Sequence, residues 1–343
     1  MMTDCILTVY FEGTSNVIRR HTTQIGLFYD VTKAVDLSVD CPNTGVTQFK
    51  LGFDGCGITN GLSGAIFATG LTEQCQVVVN LIARNLLGKF RYITVNAIGL
   101  SRGGIAVLYL AKMIRKLEAP NIGMNLLLFD PVPGNLIYPS ALDIFGFFTA
   151  NKALDISSCA NVATVLALYP YIALPDFAFH APLFPKYPPG CVVEEDVCLG
   201  CHQGALFCAR LTECRLSFVR IRDWLTQHGT ILDIDGHAYA SSLAMPYEQC
   251  VDCMGRELEA LSGLLPASRS NHSTPPGAVI VRRQDPSCIY LNKWHQELIC
   301  RLEGGSSESK YGAKMDCNAP PHYLLDIVRP RSNLLDACFS LRN

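Results

Sequence analysis

The residues Gly99-Leu100-Ser101-Arg102-Gly103 set a serine between two glycines in the spacing G-x-S-x-G. That spacing suits a nucleophile. A strand that turns sharply into a helix leaves the serine strained, its hydroxyl raised above the sheet, and only glycine fits where the backbones pass so closely. In a chain with 27 glycines the pattern alone can arise by chance, so its flanks matter. The β-rich run Tyr92 to Ile98 precedes it and the helix-forming run Gly103 to Leu117 follows at once, with Gly104 adding a further small residue.

A serine nucleophile needs a base, and the base needs an orienting carboxylate. Asp130 directly follows the strand-like run Asn125 to Phe129. Parallel sheets place their catalytic groups at such strand ends, although an aspartate there can also simply cap its own turn. Among the eight histidines, His202 follows the late strand-like run Val192 to Cys198 through Leu199-Gly200-Cys201. The order Ser101, Asp130, His202 is that of hydrolases built on such an elbow. His237 and then His180 are the next candidates for the base. An oxyanion would be held by the amide of Arg102 and by a second donor from the early loop Glu12-Gly13-Thr14-Ser15-Asn16, where Gly13 and Thr14 are the candidates.

The elements that must position these residues alternate. Cys5 to Phe11 reads as a strand, Gln76 to Leu87 as a helix, Tyr92 to Ile98 as a strand and Gly103 to Leu117 as a helix closed by Pro120. Asn125 to Phe129 has the short apolar content of a buried parallel strand. Val192 to Cys198 and Leu216 to Gln227 read as a late strand and a late helix. Together they predict an α/β fold, a mostly parallel central sheet with helices on both faces. The apolar, proline-broken stretches Leu136 to Ala150 and Tyr169 to Pro189 suit cap-like insertions, or ordinary core and loop. Pro, Gly and Ser cluster after Pro266, so residues 1–265 are expected to form the main domain and 266–343 a C-terminal extension.

Composition narrows the classes. With 49% hydrophobic and 17% charged residues the chain is globular rather than disordered. A net charge of −2 without a dense basic block gives no reason to expect nucleic acid. The apolar stretch Val162 to Leu174 is too short and too proline-broken for a membrane span. Met1-Met2-Thr3-Asp4-Cys5 has no Sec-type character, so a cytoplasmic location is expected, with most of the 16 cysteines reduced. Cys198-Leu199-Gly200-Cys201-His202 matches a haem-attachment spacing, and Cys198/Cys201 with Cys250/Cys253 form two C-x-x-C pairs. The first would require export and the second are far apart, so neither cofactor nor metal is expected. Asp233-Ile234-Asp235-Gly236 opens like a calcium loop but lacks its remainder.

Several segments also resemble one family. Tyr10-Phe11-Glu12-Gly13-Thr14-Ser15-Asn16 is similar to the F-D-G-T-x-N opening of a bacterial α/β-hydrolase family that includes the type VI secretion lipase effectors. Ile98 to Gly104 resembles its G-F-S-R-G-A elbow, arginine included, and Phe129 to Gly134 its W-D-T-V-G segment. Leu199 to Gly204 resembles its P-G-x-H-x-D-x-G-G. These matches run in order over roughly residues 5 to 210. Glu12 replaces the family's aspartate, and Gly204-Ala205 stands where it has a glycine pair. Its H-A-L-A-L-D-E stretch is matched only loosely by Ile172 to Asp176, so the triad acid stays open between Asp130 and Asp176. The resemblance implies a serine ester hydrolase acting on lipid or phospholipid, an effector delivered into another cell, and the apolar stretches Leu136 to Ala150 and Tyr169 to Pro189 suit peripheral contact with a membrane. The competing class is a hydrolase scaffold without activity that serves as a binding module.

Overall fold

In the computed structural model the described residues are 2–39, 45–58, 70–132, 153, 155–172, 185–201 and 212–243. Seven strands run through them. They are β1 (Cys5–Phe11), β2 (Val35–Asp36), β3 (Gln48–Phe53), β4 (Ile93–Leu100), β5 (Ile122–Phe129), β6 (Val162–Ile172) and β7 (Val192–Cys201). They lie in the order β2-β3-β1-β4-β5-β6-β7, and every neighbouring pair is parallel. This is the parallel sheet of a doubly wound α/β fold. The expected "mostly parallel" sheet is parallel throughout the described strands.

The strands divide their side chains between two cores with period two. Leu7, Val9 and Phe11 of β1 join Val95 and Ala97 of β4 and Leu126 and Leu128 of β5 in one cluster. Against it pack α2 (Leu71–Leu81), which continues into a π turn at Ile82–Leu86, and α3 (Arg102–Arg115). Tyr10, Ile98, Leu100, Leu127 and Phe129 face the other way. They meet α1 (Gln24–Val31), α4 (Thr212–Gln227) and α5 (Ala238–Leu243). A sheet covered on both faces buries its strands completely, which is why these runs are nearly continuous in apolar residues.

Some elements differ from the sequence expectation. The helix predicted over 76–87 begins at Leu71, because Leu71 and Cys75 extend the buried stripe that Val78 and Val79 continue. α1, β2 and β3 are additions. The cap segment expected from Tyr169 starts as strand instead: Tyr169 to Ile172 complete β6 and pair with β7. The segment 136–150, the rest of the second cap stretch up to 184, and the extension from 266 lie outside the described residues. Cys5, Cys56, Cys75, Cys159 and Cys191 are free thiols, four of them buried as small apolar side chains.

A polar ladder crosses this apolar sheet. Thr8, Asn96, Asn125 and Thr164 are register partners on β1, β4, β5 and β6. Thr164 Oγ1 donates to Asn125 Oδ1 at 2.9 Å, and Asn125 Nδ2 donates to Asn96 Oδ1 at 2.9 Å. Asn96 Nδ2 donates to the His228 carbonyl at 2.9 Å and to Thr230 Oγ1 at 3.0 Å, tying the turn after α4 to the sheet. A slip of register at β4/β5 or β5/β6 would break the bond crossing that pair and leave buried amide groups unsatisfied, so the ladder fixes pairing as well as adding stability. Asn96 is fully buried. Asn96→Ala is therefore expected to cost about 3 kcal/mol, because it orphans partners on both sides. Urea unfolding midpoints measure this; a loss below about 1 kcal/mol would mean that the ladder relaxes around the gap.

Candidate active site

The strand order reverses between β1 and β4: the chain leaves β1 toward β3 on one side and returns to β4 on the other. In parallel sheets a crevice opens at the carboxyl ends of the strands at this switch point. The loop after β1, Glu12 to Asn16, and the turn after β4, at Ser101, form its two walls.

Ser101 joins β4 to α3 with φ 57° and ψ −118°, a conformation that non-glycine residues seldom adopt. Its backbone is held firmly. Ser101 N donates to the Phe129 carbonyl at 2.9 Å, and the Ser101 carbonyl accepts from Gly104 N at 2.9 Å and Val132 N at 3.2 Å. The two elbow glycines are required by space. A Cβ at Gly99 would overlap the Gly103 carbonyl, and one at Gly103 would overlap the Phe11 carbonyl of β1. Ser101 occupies the N-cap position of α3 yet makes no side-chain capping bond. The usual structural reason for a serine in front of a helix is therefore missing.

Asp130 follows β5 at the same level, with φ 43° and 3% exposure. Its amide donates to the Leu168 carbonyl at 2.8 Å, while the next turn reaches Ser101 through Val132. Ser101 and Asp130 thus end neighbouring strands. β6 and β7 stay paired beyond that level, from Tyr169↔Val197 to Ile172↔Cys201. His202, Asp176 and His180 lie outside the described residues. His237, the second candidate for the base, is placed elsewhere. Its Nε2 faces Asp30 Oδ2 at 3.4 Å and its Nδ1 accepts from Ala240 N at 3.2 Å, so both ring nitrogens have partners other than the serine.

The oxyanion candidates are joined in a way the sequence did not reveal. Arg102 opens α3, where amides point out of the helix, and its Nη1 donates to Thr14 Oγ1 at 2.5 Å. One buried residue thereby locks the first wall of the crevice to the second. Burial also lowers the Arg102 pKa from its usual value. Gly13 is engaged differently: its N–H donates to Glu12 Oε2 at 3.2 Å, which leaves Thr14 the better-placed amide of the pair. The loop is wedged from its far side as well. Gly55 N donates to the Asn16 carbonyl at 2.8 Å, and a Cβ at Gly55 would overlap the Gly13 carbonyl.

Glu12 anchors this wall. Its carboxylate is buried and accepts from Thr23 Oγ1 at 2.8 Å, while Thr23 caps α1 by accepting from the Ile25 and Gly26 amides. Burial raises the Glu12 pKa to about 7, opposed by the Thr23 hydroxyl and the Gly13 and Gly26 amides. A folded-state pKa above the unfolded one means that the native state holds the proton more tightly. The resulting stabilisation is complete below about pH 4.5 and lost as the pH rises to about 7. That loss amounts to about 3 kcal/mol. Glu12→Gln should remove it, flattening stability against pH over this window whatever its absolute cost. Denaturant unfolding of both proteins between pH 4.5 and pH 8 measures the slope, and parallel profiles would refute the assignment.

No protein-family model matches the chain, and no curated protein matches it in sequence. Among solved structures it is similar to the Tle1 effector bound to the VgrG spike of the type 6 secretion system, at 13% identity and a TM-score of 0.35. That match covers 60% of this chain and 51% of the effector, so the chain spans about half of the effector's length. An uncharacterized protein from Pseudomonas aeruginosa is similar at 10% identity and a TM-score of 0.43, over 98% of this chain and 66% of that one. The peroxisomal α/β-hydrolase Lpx1 from Saccharomyces cerevisiae is similar at 10% identity and a TM-score of 0.38, over 79% and 87%. Likenesses this distant decide nothing about the chemistry of this chain.

Proposed function

We propose that the chain is a serine hydrolase that cleaves an ester bond through an acyl-enzyme intermediate. The observation that carries this reading is the state of Ser101. It is held at a strained φ of 57° at the switch point of a parallel sheet, between glycines that admit no side chain, and it caps nothing. Strain held by that much surrounding structure, with no structural return from the hydroxyl, is the mark of a presented nucleophile.

The other roles follow from it. Asp130 is the acid favoured over Asp176, because the turn that it begins bonds directly to the Ser101 carbonyl through Val132. His202, one residue past the end of β7, is the proposed base. The Arg102 amide and the Thr14 side of the early loop would hold the oxyanion, with the Arg102 guanidinium fixing the distance between them. The proposed substrate class is a lipid or phospholipid ester. It rests on the motif resemblance and on the apolar sequence flanking the site residues.

The test is labelling of the purified chain with a fluorophosphonate probe, followed by peptide mapping. One labelled peptide containing Ser101 is expected. Absence of labelling, or labelling confined to other serines, would overturn the hydrolase reading and leave the binding-module class. Hydrolysis of short acyl esters and of phospholipid vesicles, run side by side, then separates a lipid ester hydrolase from one restricted to soluble esters.

A further inference from the structure

The histidine displaced from the catalytic role lies in a constellation of its own. His21 ends the short 3-10 turn Ile18–Arg20, Asp30 lies toward the end of α1, and His237 opens α5 more than two hundred residues later. Asp30 Oδ2 lies 3.8 Å from His21 Nε2 and 3.4 Å from His237 Nε2. The three atoms fall within 4.8 Å of one another. The rings meet edge to face with centroids 6.4 Å apart, so both Nε2 atoms can address one point without stacking.

We propose that His21, Asp30 and His237 form a zinc-binding site. Two imidazole nitrogens and one carboxylate oxygen are a donor set that zinc prefers. Bonds of about 2.0–2.1 Å in a tetrahedron separate ligand atoms by about 3.4 Å. Asp30 Oδ2 to His237 Nε2 already matches that spacing and Asp30 Oδ2 to His21 Nε2 approaches it, while all three donors lie within 4.8 Å. The side chains are 36%, 44% and 30% exposed, which leaves room for an ion to enter and for water to complete the coordination.

His21 is held at φ 50°, a left-handed conformation that costs energy and fixes where its ring departs from the backbone. Asp233, the other acid of the loop leading to His237, pairs with Lys33 at 3.1 Å and closes its turn on Gly236, so it does not compete for the ion. Ligation has one identifiable cost. A zinc ion on His237 Nε2 moves the ring proton to Nδ1, where it opposes the Ala240 amide and gives up that capping bond. One half-buried cap is small against a third protein ligand. The ion would pin α1 to the start of α5, joining early and late parts of the chain without any part in hydrolysis.

The test uses the whole chain stripped of metal and titrated with cobalt(II) as a spectroscopic substitute, then with zinc. One equivalent of cobalt should develop visible d–d absorption of a nitrogen- and oxygen-ligated ion, without the thiolate charge-transfer band that a cysteine site would add. Zinc should displace it and raise the unfolding temperature. His237→Ala, Asp30→Asn and His21→Asn should each weaken binding by at least about tenfold, the last because asparagine tolerates the left-handed turn. Circular dichroism confirms that each variant is folded. The proposal is overturned if no absorption appears, if thiolate bands dominate, or if folded variants bind as the wild type does.

Discussion

Ser101→Ala is expected to lower the hydrolysis of a short acyl ester by a factor on the order of 10⁴ or more, while the unfolding midpoint stays within about 0.5 kcal/mol of wild type. The two halves of this expectation have separate causes. On the proposed mechanism, removing the hydroxyl removes the atom that would form the acyl-enzyme, and the Arg102 amide and Thr14 loop could then stabilise only the slow attack of water. Stability is spared because every recorded bond of Ser101 is made by its backbone, to Phe129, Gly104 and Val132. No side-chain cap is lost, and alanine at φ 57° is strained about as much as serine. Steady-state kinetics with thermal or urea unfolding read both halves. Retention of most of the activity would sink the nucleophile assignment, whereas a large loss of stability would show that the serine has a structural role after all.

The sequence was most legible where one residue had one task. The pattern around Ser101 already implied a strand, a tight turn and a helix, because only that path needs glycine at both 99 and 103, and β4 and α3 follow it. The buried strands β1 and β5 were likewise visible as short apolar runs. β6 was not separable from a cap, because a strand buried on both faces carries no alternation to distinguish it from other apolar sequence. β3 and α1 were missed for a different reason. Gln48–Phe53 does alternate, with Phe49 and Leu51 buried, but over only six residues, and α1 is brief and buried on nearly every side, so it shows no clean period. Within the site, the motif points to the Arg102 amide, yet its guanidinium makes the contact that joins the two loops. No local pattern announces a bond between residues 14 and 102. His237 shows the converse limit. Its place after a strand-like run made it eligible as a base, but a residue's eligibility says nothing of which neighbour the fold supplies, and the fold supplies Asp30.

Gly103→Ala should be severely damaging, costing more than about 4 kcal/mol and leaving little soluble protein. Gly103 lies in the first turn of α3, where that helix crosses the end of β1 at backbone contact. A Cβ there would overlap the Phe11 carbonyl and lie 2.8 Å from both the Phe11 carbonyl carbon and the Glu12 carbonyl oxygen. None of these atoms is the movable end of a side chain. Relief would require α3 to lift from the sheet, and the same shift would carry Ser101 and Arg102 away from Thr14. The glycine therefore sets the packing and the geometry of the proposed nucleophile turn at once. Two comparisons isolate the cause. Gly190→Ala introduces a side chain at φ 83° with nothing within 4 Å, so it should cost only about 1 kcal/mol of backbone strain. Gly104→Ala brings a Cβ to 2.9 Å from Pro131 Cβ, a clash that a small shift of one turn can relieve, and it should fall between the two. Soluble yield and urea midpoints for the three variants test the ranking. If Gly103→Ala lies within about 1 kcal/mol of Gly190→Ala, α3 is not held against β1 by backbone contact, and the glycine was kept for the turn alone.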